Sequence, residues 1–146
     1  MSDLYESLTN AFELEPKQTE QYSPLTLAYI GDCVYELIVR TRLVYEANAP
    51  VDRLNRMGSM WSKAGTQSGV IEAVMDMLSD DELAAYKRGR NAHTANRAKN
   101  ATAGDYRRAT GLESLIGYLY VQKKFDRIME IVKAGFEAVG GKDEIQ

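Results

Sequence analysis

The segment "LAYIGDCVYELIVR", from Leu27 to Arg40, has the pattern of a buried helix with an aspartate in its middle. Apolar residues fall on two opposite sides of its helical wheel, which predicts a helix packed on both sides. One side carries Leu27, Ile30, Val34, Leu37, Thr41 and Val44, and the other carries Leu25, Ala28, Tyr35, Val39 and Leu43. Asp32 and Glu36 lie one turn apart on that second side, among apolar neighbours.

Asp32 therefore needs a partner, because an unpaired carboxylate in an apolar site costs several kcal/mol or takes up a proton. Three partners are open: an arginine in an ion pair, solvent in a cleft, or a metal ion. Gly31 precedes Asp32. A glycine in a helix interior costs about 1 kcal/mol relative to alanine, so it indicates close approach of another element or a ligand.

A second segment, "TGLESLIGYLY" at residues 110–120, has the same design. Its apolar stripe is formed by Ala109, Leu112, Ile116 and Leu119. Glu113 lies at the edge of this stripe, and Gly117 follows one turn later. Two acids from two helices could share a divalent cation, since Mg²⁺ takes oxygen ligands and commonly binds one or two carboxylates plus waters and substrate phosphate.

The remaining sequence is helical in pattern and shows no sustained strand alternation, so we expect an all-α fold. Ser23 and Pro24 have the character of an N-cap and a first helical residue. Ser79 and Glu82 have capping-box spacing. A break is expected near "GTQSG", residues 65–69. The predicted helices cover residues 2–14, 22–46, 50–65, 70–78, 79–89, 105–122 and 125–139.

Composition limits the class of protein. With 146 residues, 45% of them hydrophobic, the chain suits one compact domain. Its single cysteine and single histidine exclude an intrachain disulfide and a structural zinc site. That cysteine, Cys33, is expected in the core, and a reducing cytoplasm is the predicted location. Neither a signal peptide nor an apolar run of roughly 20 residues is present, so no membrane association is expected.

Charge is unevenly distributed along a chain whose formal net charge is -3. Residues 1–22 hold five acids and one lysine, whereas residues 87–108 hold seven basic residues against Asp105 alone. No large apolar side chain occurs between Tyr86 and Tyr106, which predicts a long surface loop over 87–105. A local basic stretch on an acidic protein indicates an anionic partner. The alternative is a solvated loop without a partner.

These motifs resemble a known family. "LAYIGDCVYELIVR" is similar to the signature helix of ribonuclease III, and "GLESLIGYLY" to its second acidic motif, with "KRGRNA" between them. The resemblance covers most of the chain and is closest to Mini-ribonuclease III, the short bacterial branch. It implies a single ribonuclease III-like catalytic domain of about seven helices over residues 1–146, without a separate double-stranded-RNA-binding domain.

The resemblance also implies site residues. Asp32 matches the signature aspartate and Glu113 the second-motif glutamate, which makes both catalytic residues and ligands of Mg²⁺. Two further acids of the larger ribonuclease III pattern are absent, because this chain has Ala28 and Thr110 there. The number of metal ions and the replacement ligands therefore stay open. Glu36 is available, although an ion pair with Arg40 at i,i+4 spacing is the alternative.

The implied activity is Mg²⁺-dependent endonucleolytic hydrolysis of double-stranded RNA that leaves a 5′-phosphate and a 3′-hydroxyl. The implied substrate is precursor 23S ribosomal RNA, trimmed at its paired ends. A two-fold homodimer would supply one site for each strand. Two rivals remain: a non-catalytic helical RNA-binding module, and a helical interaction protein whose basic loop docks on an acidic partner.

Proteins read A-form RNA through phosphates and 2′-hydroxyls across the shallow minor groove. The basic loop suits that task, because its arginines and lysines can reach phosphates and its asparagines can bond to sugar hydroxyls. The predicted RNA-binding residues are Lys87, Arg88, Arg90, Asn91, His93, Asn96, Arg97, Lys99 and Asn100.

Overall fold

The computed structural model describes residues 3–92 and 102–140, and this part of the chain is all-α, without strands. Its seven α-helices are α1 (Leu4–Ala11), α2 (Pro24–Glu46), α3 (Val51–Ser62), α4 (Ala64–Val74), α5 (Asp80–Asn91), α6 (Ala103–Val121) and α7 (Phe125–Gly140). Short 3₁₀ turns cover Thr19–Gln21 and Met75–Met77. The predicted fold class and helix number are confirmed.

Two helix starts are set by the caps that the sequence predicts. The Ser23 hydroxyl accepts a hydrogen bond from the backbone N–H of Thr26 at 3.1 Å, and Pro24 occupies the first turn of α2. At α5, Ser79 and Glu82 form a reciprocal capping box, with N–O distances of 2.8 and 3.2 Å. Each cap satisfies backbone N–H groups that a helix start otherwise leaves unpaired.

The expected break near residues 65–69 is wrong. The chain breaks at Lys63, whose backbone is extended, and α4 then runs from Ala64 through Gly65 and Gly69. Thr66, Gln67 and Ser68 of this helix are buried, so tertiary packing outweighs the low helix propensity of the glycines.

The predicted loop over 87–105 is also too long at both ends. Lys87 to Asn91 complete α5, and α6 begins at Ala103. Gly89, where the helix was expected to stop, lies inside α5 and packs against α6. A Cβ atom there would lie 2.4 Å from the Cβ of Ser114. This glycine therefore serves close packing rather than termination.

Helix α6 forms the centre of the core, with α2, α4 and α5 packed around it. Its contact with α2 is a backbone contact made possible by two glycines. A Cβ on Gly31 would lie 1.7 Å from the carbonyl oxygen of Glu113, and a Cβ on Gly117 would lie 1.9 Å from that of Leu27. The prediction that Gly31 marks close approach of another element is confirmed.

The prediction that α2 is packed on both sides is wrong. Leu27 is its one buried residue from the first of the two sides, and the other buried residues, Ala28, Gly31, Tyr35, Val39 and Leu43, lie on or next to the second side. Leu37 and Val44 of the other side are each 57% exposed, Tyr29 is 82% exposed, and Cys33 is exposed as well. A helical wheel cannot distinguish an apolar face that packs within the domain from one that remains open on the single chain.

Candidate active site

Asp32 and Glu113 come together where α2 crosses α6. Because Gly31 lies against the backbone of Glu113, the two carboxyl groups are close enough for Asp32 to act on the pKa of Glu113. Asp32 is exposed, which differs from the apolar surroundings that the sequence predicted, and Glu113 is half-buried. The structure therefore places two acids from two helices at one site, with one open to solvent.

Burial raises the pKa of Glu113 to about 8, and the neighbouring Asp32 adds to the effect through its charge and its hydrogen bond. Two adjacent carboxyl groups cannot both be charged cheaply without a cation. Within residues 3–92 and 102–140, no arginine or lysine makes an ion pair with either acid. Of the three partners considered for Asp32, the arginine pair is thus not observed in the described part of the chain.

Gln67 of α4 is a third member of the site, and the sequence interpretation missed it. It is 2% exposed, and its side-chain amide favours the charged form of the Glu113 carboxyl group, which opposes the larger pKa-raising effect of burial. The signal was present in the sequence: in a continuous helix, Gln67 lies on the same stripe as the buried Val70, Ile71 and Val74. The wrongly placed break over residues 65–69 concealed that register.

The two positions that lack the expected acids carry no substitute ligand. Ala28 is buried, and the buried Thr110 donates its hydroxyl to the carbonyl oxygen of Tyr106 at 3.0 Å. Glu36 forms the predicted alternative, an ion pair with Arg40 at 3.3 Å. No group of three or more acidic, histidine or cysteine side chains that could hold a metal occurs in the described ranges.

Four of the predicted RNA-binding residues lie in the described part of the chain, at the end of α5. Lys87, Arg88 and Asn91 are exposed. Arg90 is half-buried: its guanidinium lies 5.6 Å from the centroid of the Tyr86 ring, and it donates to the Asn91 side chain at 3.2 Å. Three of the four are therefore free to meet a ligand, and Arg90 also has a packing role.

This basic end of α5 lies next to the turn of α6 that carries Glu113. Gly89 packs on Ser114, the residue directly after Glu113 in the chain. The basic end of α5 is thus packed directly on the helix that carries Glu113. The other predicted RNA-binding residues, His93, Asn96, Arg97, Lys99 and Asn100, lie outside the described residues.

Comparison with known proteins identifies the family. The model of the ribonuclease III domain matches residues 25–124, a range that contains both acids, all of α6 and all of α2 but its first residue. Curated Mini-ribonuclease 3 proteins match most of the chain. The chain belongs to the Mini-ribonuclease 3 family. The predicted resemblance is confirmed, and the family is one of endoribonucleases of the ribonuclease III type, which act on double-stranded RNA.

The relatives align over most of their length. Mini-ribonuclease 3 of Clostridium tetani is 40% identical over 122 residues, which cover 83% of this chain and 81% of that protein. The Brevibacillus brevis protein is 41% identical over 120 residues, with 82% and 90% covered. A crystal structure of a Fusobacterium nucleatum protein superposes with a TM-score of 0.75 at 27% identity, over 84% of this chain and 94% of that one.

In the part of the chain that the structure describes, no helix has the length and apolar character needed to span a bilayer.

Proposed function

We propose that this Mini-ribonuclease 3 is a Mg²⁺-dependent endonuclease in which Asp32 and Glu113 bind the metal and are the catalytic residues. The observation that carries the proposal is the close backbone contact of Gly31 with Glu113, which brings the two carboxyl groups to one site where α2 crosses α6. Neither acid has a cationic partner among the described residues. A divalent cation would compensate the charge of both carboxylates.

The donor set suits such an ion. Mg²⁺ is bound by oxygen ligands and often by only one or two carboxylates, with waters and substrate phosphate completing its shell. When bound, the ion supplies an activated water at neutral pH and offsets charge on the phosphate. Asp32 is exposed, so a phosphodiester can reach the site from solvent, and Glu113 would bind the ion as the carboxylate. Hydrolysis that leaves a 5′-phosphate and a 3′-hydroxyl is the reaction we propose.

The open side of α2 supports the proposed homodimer. Tyr29, Leu37 and Val44 form an exposed apolar face on it, and Val51 of α3 is also exposed. Apolar surface of this kind marks an interaction site, and a two-fold axis would place the same face on both subunits. The dimer then presents one Asp32–Glu113 pair to each strand of a duplex.

The proposed substrate is precursor 23S ribosomal RNA, cut at its paired 5′ and 3′ ends in the cytoplasm. What supports it is the family membership together with the basic end of α5 beside the site. Phosphate contacts from Lys87 and Arg88 would position an A-form duplex, whose shape rather than base sequence is accessible to protein side chains.

The alternative function is a non-catalytic RNA-binding module. The observation that favours it is the absence of acids at Ala28 and Thr110, which leaves two carboxylates where the larger ribonuclease III pattern has four. In that case Asp32 and Glu113 would bind no metal, and the basic residues alone would carry the function.

One experiment distinguishes the proposed endonuclease from a non-catalytic RNA-binding module and from a protein-interaction domain. A duplex RNA containing the paired ends of precursor 23S ribosomal RNA is incubated with the protein in Mg²⁺ or in chelator, beside a single-stranded control. Mg²⁺-dependent internal cuts in the duplex with 5′-phosphate ends are expected. A shifted but intact duplex would establish the binding module, and absence of both would leave the protein-interaction reading.

A further inference from the structure

We propose that the N-terminal arm, which we define as residues 3–15 and which contains α1, is a docking surface for a basic amphipathic helix of another protein. The arm shares no residue with the proposed metal site, so the inference goes beyond the proposed function. Three features of the arm carry it: an exposed apolar stripe, the way its helix ends, and a surplus of negative charge.

The first feature is the apolar stripe of α1. All residues of this helix are exposed or half-buried, and Tyr5 holds it on the domain with its ring centroid 5.0 Å from that of Tyr120. Leu4, Leu8 and Phe12 follow at four-residue spacing and therefore share one face. Their exposed fractions are 74%, 43% and 71%. An apolar helix face left this open is typical of a helix that binds a groove or helix of a partner.

The second feature is the way α1 ends. The backbone N–H of Glu13 donates to the carbonyl oxygen of Asn10 at 3.2 Å, and that of Leu14 donates to Thr9 at 2.9 Å, which is the Schellman pattern. Leu14 is exposed and extends the apolar surface past the helix. Glu13 has a φ of 51°, a left-handed conformation that glycine adopts at least cost. A glutamate held there keeps a carboxylate beside the apolar stripe, and such backbone strain is typical of functional sites.

The third feature is the charge of the arm, which identifies the partner. The arm has no basic residue and contains the acids Asp3, Glu6, Glu13 and Glu15. Within residues 3–92 and 102–140, none of these acids forms an ion pair. This charge repels duplex RNA and anionic lipid, and it would oppose the same arm of a second copy. A protein helix with an apolar face flanked by lysines or arginines complements both the stripe and the charge.

The test uses the full-length protein and three synthetic helical peptides of equal length. One has leucines on one face and lysines on the other. The second has glutamates in place of the lysines, and the third has serines in place of the leucines. Affinity is measured by fluorescence anisotropy of labelled peptide, and the binding surface is mapped from backbone amide resonances of the unaltered protein.

Two variants of the arm have matched controls. Leu8→Ser is compared with Met129→Ser on α7, because both residues are 43% exposed. Glu13→Gln with Glu15→Gln is compared with Asp126→Asn with Glu137→Gln, a pair of exposed acids on α7. Each control removes the same kind of group from a surface outside the arm.

The leucine–lysine peptide should bind and shift the amide resonances of the arm. Leu8→Ser should weaken its binding by about tenfold or more, since one buried leucine is lost from the contact. The double glutamine variant should weaken it by several-fold and reduce its salt dependence. Both controls should keep wild-type affinity, and the other two peptides should bind at least about tenfold more weakly.

Three results would overturn the proposal. In the first, the leucine–lysine peptide fails to bind or shifts only resonances outside the arm. In the second, it binds Leu8→Ser as tightly as the wild type, or the leucine–glutamate peptide binds equally well. In the third, Leu8→Ser changes the sedimentation of the protein alone, which would show that a second copy of the chain covers the stripe.

Discussion

Glu113 lies where burial and the carboxyl group of Asp32 both oppose its negative charge, so its pKa is raised to about 8. In the metal-free folded protein it keeps a proton that the unfolded chain releases near its ordinary pKa of 4.5. Between those two values the native state binds more protons than the unfolded state. Stability must therefore fall as the pH rises through this window.

Replacing Glu113 with glutamine removes the titrating group and should remove that loss of stability. In chelator, the wild type should become progressively less stable than Glu113→Gln from about pH 5 to about pH 8, by at most about 1.4 kcal/mol per pH unit. Urea unfolding at several pH values measures the gap. Glu137→Gln, a change at an exposed position on α7, is the control and should run parallel to the wild type. Parallel curves for Glu113→Gln would show that Glu113 titrates normally.

The contact between α2 and α6 depends on glycine, because a methyl group on Gly31 would overlap the backbone of Glu113. Gly31→Ala should destabilise the fold by about 3 kcal/mol or more, since backbone rather than a flexible side chain must move. Cleavage should fall as well, because the two acids are displaced from each other. Denaturant unfolding and a cleavage assay measure the two effects.

Gly58→Ala is the matched control for Gly31→Ala. Gly58 also lies within a helix, but a Cβ there would meet only Leu43 at an ordinary 3.7 Å. That substitution should be tolerated or should stabilise α3 by up to about 1 kcal/mol. Wild-type stability and activity in Gly31→Ala would contradict the close packing of the two helices.

The basic end of α5 and the residues after it are predicted to bind the duplex. Changing Arg88, Arg90, Arg97 and Lys99 together to alanine should weaken duplex binding and flatten its salt dependence, since each phosphate contact contributes about -0.9 to the log–log slope for duplex DNA. Cleavage at saturating RNA should change less. Unfolding measurements check the fold, because Arg90 also lies over Tyr86.

Changing Lys124 and Lys133 to alanine controls for a general loss of positive charge. Both are exposed: Lys124 directly precedes α7, and Lys133 lies within it. If the quadruple variant kept wild-type affinity and salt slope, the duplex would have to bind elsewhere on the protein.

Helix ends with local signals were predictable from the sequence, whereas ends set by packing were not. Ser23 and Ser79 cap their helices as expected because a cap involves only three or four neighbouring residues. Gly65 and Gly89 were interpreted as breaks, yet both lie inside helices that the core holds in place. A glycine signals either a stop or a close contact, and only the tertiary partner decides which.

The same limit applies to the site. Asp32 and Glu113 could be paired from the sequence because each follows or precedes a glycine that predicts close helix packing, and because both match family motifs. Gln67 was missed, since its place on the buried stripe of α4 becomes visible only when the helix is continued through residues 65–69. The exposure of Cys33 was missed because an apolar helix face that stays exposed on the single chain has the same sequence pattern as a face buried in the core.

The assembled protein is expected to be a dimer in solution through the exposed face of α2. Sedimentation at micromolar concentration should show a species near twice the 16.4 kDa chain mass. Leu37→Glu with Val44→Glu should give monomers, because two charges would be buried in an apolar interface. Leu4→Glu, at an exposed apolar residue of α1, should leave the dimer intact. A wild-type protein that sediments only as the monomer would rule out this assembly.

The most direct test of the shared metal site is single-turnover cleavage of duplex RNA. Four proteins are compared: the wild type, Asp32→Asn, Glu113→Gln and the double variant. Both single changes are nearly isosteric and remove a charge that the cation needs. Each should abolish Mg²⁺-dependent cutting while the fold is kept, and the double variant should be no worse than either single one, because both acids act through one site. Near wild-type cutting by Asp32→Asn, or two partial defects that multiply in the double variant, would contradict a cation shared by Asp32 and Glu113.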